Sequence, residues 1–206
     1  MKRALSLLAA LALPTFAAAA AETWEIDPVH TSTSFSVKHL VITTVRGVFG
    51  KTTGTARIDD QDPARSSVEA TVDASTIDTR VPQRDGDLKS PNFLDVEKYP
   101  TITFRSTKVR PAGKGKLKLT GEVTLHGVTR PVTFDVTGPT RAIQGPKGEL
   151  RRAISASAKI NRHDFGLNYS KAVEAGPVVG TTVDIQIDAE LVKAGAPKEQ
   201  AEQKGK

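Results

Sequence analysis

The 206-residue chain contains no cysteine. That one absence excludes disulfides, thiolate metal sites, a cysteine nucleophile and a lipidated N-terminal cysteine. Such a domain must be stabilised by its own core, and about 170 residues are ample for one. Aromatic residues make up only 5% of the chain, and its cations are interspersed with carboxylates. Nucleic-acid binding wants a basic stripe with stacking aromatics, so no nucleic acid is expected as a partner. The net charge of +6 drops by two if Lys2 and Arg3 are removed with a signal. What remains is compatible with weak attraction to anionic membrane surfaces. No apolar run approaches the roughly 20 residues that span a bilayer, so stable membrane insertion is not expected. No repeat of fixed period is present.

What is there begins with a secretion signal, expected over residues 1–21. Lys2 and Arg3 form its charged start, residues 4–13 its apolar stretch, and residues 14–21 a small-residue region with A-x-A options. Cleavage is expected between Ala19 and Glu22, leaving one domain over residues 22–192. A charged tail rich in small residues, expected to be disordered, covers residues 193–206.

Within the domain a period of two dominates. In Lys116–Leu125, Leu117, Leu119, Gly121, Val123 and Leu125 fall on one face, with Lys116, Lys118, Thr120, Glu122 and Thr124 on the other. Val183, Ile185, Ile187, Ala189 and Leu191 repeat the pattern against Asp184, Gln186, Asp188 and Glu190. Leu150, Ile154, Ala156, Ala158 and Ile160 do so with Arg152 as an early interruption. Further alternation predicts strands around Phe35, over residues 52–58 and 68–74, at Ile102 and Phe104, and at Val132, Phe134 and Val136.

Residues 40–48 read as a connecting segment, and 59–63 as a turn. Between residues 79 and 100 the alternation stops. Pro82 suits the first turn of a short polar helix over residues 84–90, followed by an apolar plug of Phe93, Leu94 and Val96. Residues 111–115 read as a hairpin loop, His126-Gly127 as a tight turn, and residues 138–148 and 164–180 as irregular.

A sheet that is wet on one face and has few helices to cover the other must curl up or pack on a second sheet. About eight strands of about ten residues give walls of roughly 30 Å. An eight-stranded barrel holds either side chains or one small ligand. Ala70, Ala74, Gly121, Ala156 and Ala158 are small for a filled core. They favour an elongated cavity over a packed sandwich, though small residues can also face large ones.

Reactive constellations are sparse. His30, His39, His126 and His163 show no metal-ligand spacing. No G-x-S-x-G elbow or phosphate loop is present, and Asp59-Asp60 sits in a turn. Asp27 and His30 are close enough in sequence to pair, and His39 shares the parity of Phe35 and Val37. No catalytic residue, metal or cofactor is therefore assigned.

Several motifs in order resemble the YceI-like family. Asp27-Pro28-Val29-His30-Thr31 is similar to its D-x-x-H-[ST] opening, and Arg46-Gly47-Val48-Phe49 to its R-G-x-F motif. Residues 85–104, with Phe93, Asp95, Tyr99-Pro100 and Phe104, resemble its long central signature; Asp87 and Leu94 depart from the usual histidine and phenylalanine. His126-Gly127-Val128-Thr129-Arg130 and Arg162-His163-Asp164-Phe165-Gly166 complete the likeness. It implies an all-β, lipocalin-like antiparallel barrel of about eight strands with one or two short helices, periplasmic, holding a long-chain isoprenoid or similar amphiphile.

On that reading Phe35, Val37, Ile102, Phe104, Leu119, Val123, Phe134, Ala156 and Ile160 are the expected tunnel wall. His39, Phe49, Phe165 and Leu167 are the expected mouth or end plug. An ordinary core would show the same pattern. Two other readings stand beside it: an enzyme acting on a lipid-like substrate through Asp27 with His30 or His39, and a stress-response interaction module using the outer face at Lys116 or Lys118. A homodimer would follow if a terminal strand left an unpaired edge.

Overall fold

The computed structural model describes residues 21–169 and 178–195. The signal expected over 1–21 and the tail expected over 193–206 lie almost wholly outside them. The strands β1 (Glu22–Ile26), β2 (Ser32–His39), β3 (Thr43–Phe49) and β4 (Thr52–Ile58) come first. Next are β5 (Ser67–Asp73), the short β6 (Ile77–Asp78) and α1 (Pro82–Lys89), the one α-helix among the described residues. Then follow β7 (Thr101–Pro111), β8 (Lys116–Leu125) and β9 (Val128–Thr137). The short β10 (Ile143–Gln144), β11 (Leu150–Asn161) and β12 (Val179–Lys193) complete the order.

Eight of these strands close a ring in the order β1, β4, β5, β7, β8, β9, β11, β12 and back to β1. The fold is a lipocalin-like antiparallel barrel. β12 is the closing strand. One of its edges pairs with β11 from Thr182 to Val192, while the other is shared between β1 and β2. β3 extends the sheet beyond β2, and β6 adds two residues beyond β3.

The two ends differ because strand directions alternate. At the helix end lie α1, the β2–β3 hairpin, the start of β12 and a 3-10 turn (Arg162–Phe165). The opposite end is filled by Trp24, Ile26, Ala56, Ile58 and Leu191, with Trp24 fully buried. A larger apolar cluster, including Leu119, Val123, Phe134 and Phe165, occupies the rest of the interior.

The structure corrects the strand reading in places. β3 is a strand rather than a connecting segment. Its inner face carries Gly47 because a Cβ there would sit 2.5 Å from the Phe35 ring, and that glycine hides the alternation. β1 offers only Trp24 and Ile26 to the interior, too few to register as a period. Arg152 does not break the inner face but caps it. Its guanidinium lies 4.8 Å from the centre of the Trp24 ring and bonds both carboxylate oxygens of Asp60, at 2.8 and 2.5 Å.

Elsewhere the local chemistry acts as expected. Pro82 begins α1, which buries no side chain. His126 and Gly127 both have positive φ, 53° and 72°, and join β8 to β9 in a two-residue turn.

Candidate functional site

The barrel encloses a cavity of about 240 Å³. It runs along β12 from Val183 to Ala189, roughly 20 Å at the rise of a strand. Such a volume spread over such a length is a narrow channel, not a chamber. Its wall is almost entirely hydrocarbon.

Most of the expected wall residues face it. β2 and β3 contribute Phe35, Val37 and Phe49; β7, β8 and β9 contribute Ile102, Phe104, Leu119, Val123 and Phe134. β11 supplies Ala156 and Ile160, and Leu167 follows the 3-10 turn. Two expected site residues do not line the channel. His39 sits beside the hairpin turn, opposite Thr43 and Val179. Phe165, in the 3-10 turn at the helix end, is buried in the larger apolar cluster.

The small residues also divide. Ala70 and Ala156 leave space that belongs to the channel. Gly121 does not, because the Phe104 ring fills its place: a Cβ there would meet that ring at 2.5 Å. Phe104 in turn meets Phe134 edge-on, with centroids 5.3 Å apart. Aromatic rings folded into glycine gaps therefore set the bore.

Sequence reasoning missed the polar positions on the wall. Thr33 and Thr52 are buried there, their hydroxyls 2.9 Å apart. Arg162 lines the helix end and is buried. Its guanidinium donates to the carbonyls of Gly180 at 3.0 Å, Val179 at 3.2 Å and Leu167. It thereby pins the start of β12 to the 3-10 turn. The charge of arginine argued for exposure, and only its place in the Arg162–Phe165 motif pointed elsewhere.

Asp27 and His30 form a second polar cluster, away from the channel wall. His30 Nδ1 lies 2.9 Å from Asp27 Oδ2, and Arg151 Nη1 donates to the same oxygen at 2.9 Å. Arg151 also bonds Glu149 at 2.6 Å and Glu190. Asp27, His30 and Glu190 bring ligand-type atoms within 4.8 Å of one another, but Arg151 already donates to both carboxylates. The cluster ties the β1–β2 loop to β11 and β12. His39, on the hairpin at the helix end, does not join it.

Burial works against ionisation of Asp27, but hydrogen bonds from His30, the Val29 N–H and Arg151 outweigh it and hold the carboxyl below its ordinary value. The hydrogen bond to Asp27 raises His30. The aspartate contribution is complete above about pH 4 and is lost as pH falls through the lowered folded value. The histidine contribution is complete below about pH 6.5 and is lost as pH rises through the raised folded value. The stability difference between the native protein and His30→Ala should therefore be largest between about pH 4 and pH 6.5. Thermal melts across that range and above it check this; a difference that does not shrink above it would show that the pair contributes nothing through ionisation.

Comparison with known proteins adds a lineage to this geometry. A family model described as a YceI-like domain matches residues 24–191. A UPF0312 protein of Vibrio parahaemolyticus is 34% identical over 198 residues, covering 94% of this chain and all of that one. The crystal structure of Burkholderia cenocepacia BcnA matches with a TM-score of 0.70 at 22% identity, covering 80% of this chain and 98% of the other. A polyisoprenoid binding domain from Saccharophagus degradans, implicated in plant cell wall breakdown, matches with a TM-score of 0.61 at 14% identity, covering 82% and 98%.

Proposed function

The chain belongs to the YceI-like family, and from that premise we propose that it is a periplasmic protein that holds a long-chain isoprenoid, or a similar amphiphile, in the barrel channel. The observation that carries this reading is the channel itself, narrow, about 20 Å long and walled by hydrocarbon. Each methylene moved from water into it contributes about 0.8 kcal/mol, so a long chain gains more than a compact apolar molecule. Part of that gain offsets the cost of ordering the chain. The wall offers almost no polar surface, so a polar head group stays at an end of the channel. The solved polyisoprenoid binding domain with the same fold supports the choice of ligand class.

Native mass spectrometry tests the reading. Protein purified gently from a bacterial host, or incubated with a polyprenyl alcohol, should carry one lipid per barrel. Retention of no lipid in either preparation would overturn the proposal.

A further inference from the structure

The β2–β3 hairpin ends in a turn whose sequence opposes its shape. Ile42 N donates to His39 O at 3.2 Å, and the two central residues, Leu40 and Val41, have φ of 50° and 65°. A turn with both central residues left-handed strongly prefers Asn-Gly, and a β-branched residue there is an outlier. Leu40, Val41 and Ile42 are also 46%, 64% and 78% exposed. Neither local stability nor core packing explains three adjacent apolar side chains in water. Strain of this kind points to a use outside the fold.

The surroundings say what the tip meets. Residues 38–46 include Lys38, His39 and Arg46 and no carboxylate, with Lys38 and Arg46 exposed. The tip stands at the helix end: Leu40 N donates to Val178 O at 3.0 Å, and Val37 and Val179 beside it line the channel. Three side chains are far too small a patch for a stable protein interface, which needs about 1,000 Å². A bilayer needs no matching pocket. Apolar residues enter the boundary between head groups and acyl chains while flanking cations meet anionic head groups.

We propose that the Leu40-Val41-Ile42 tip docks the barrel onto an anionic bilayer, with the helix end of the channel facing the lipid. Docking there gives a lipid a path between bilayer and channel that avoids water. That last consequence rests on the function proposed above; the docking does not.

Sedimentation with vesicles of phosphatidylcholine and phosphatidylglycerol tests it. The pair Leu40→Asn and Val41→Gly should raise the melting temperature and yet lower vesicle binding at least tenfold. Ile42→Asp should lower binding comparably. Ile42→Trp gives a direct probe, because the chain has one tryptophan, Trp24, and it is fully buried. Emission from the new indole should shift to the blue when vesicles are added. Failure of the native protein to bind vesicles, binding unchanged in the variants, or an unshifted emission would each overturn the proposal. Native mass spectrometry on the same variants reads lipid occupancy separately, so a barrel that binds vesicles but never lipid refutes only the functional reading.

Discussion

On the proposed lipid-binding function, Ala156→Phe is expected to block the channel while the barrel still folds. Ala156 is buried on β11 between Val136 of β9 and Ile187 of β12, and it lines the cavity. A phenyl ring placed there projects across a narrow bore. Lipid occupancy should fall at least about tenfold, equivalent to roughly 1.4 kcal/mol of affinity or more. In a solid core the same change would overpack its neighbours and cost about 1–3 kcal/mol of stability instead. Occupancy and melting temperature measured on one preparation separate the two. Full occupancy with a steep fall in melting temperature would show that the lipid does not pass Ala156.

Trp24→Ala should be the most damaging single truncation at the far end of the barrel. Trp24 packs with Ile26, Ala56, Ile58 and Leu191 beneath the Arg152 guanidinium. Removing a buried aromatic of this size costs about 3–5 kcal/mol, or roughly 10 °C in melting temperature for a domain of this length. Trp24→Phe should cost much less. The indole N–H has no hydrogen-bond partner among the described residues, so the smaller ring loses volume but no bond. Denaturant titration of both variants checks the order. Equal losses would mean that the part of the indole that phenylalanine lacks, and not aromatic packing in general, holds this end together.

The barrel was legible because long strands with one wet face announce themselves. β8 and β12 could be read residue by residue, and the two-residue turn at His126-Gly127 fixed one hairpin. β3 was not legible, because Gly47 answers to Phe35 on another strand and local periodicity cannot see that partner. The same limit applies to the site. Wall positions follow parity, so Phe35, Leu119 and Phe134 were readable as inward-facing. Whether an inward residue borders open space depends on where neighbouring rings go, as Gly121 and Phe104 show. Parity also suggested that His39 faces inward; it stands beside the turn, opposite Val179, which lines the channel, without lining the channel itself. Arg162 ran against its own polarity. A buried guanidinium becomes intelligible only when the carbonyls of Gly180 and Leu167 have been brought around it.

Ring closure by β12 has a kinetic side. Trp24 pairs with Lys193, so the contact that seals the barrel joins residues from opposite ends of the described chain. Contacts so distant in sequence make folding slow, because the entropy of closing the loop is lost before the contact can compensate. Until β12 arrives, β11, β1 and β2 all present unpaired edges, the state in which β proteins are most prone to pair with one another. The strand that completes the container is therefore also the one on which a clean folding route depends.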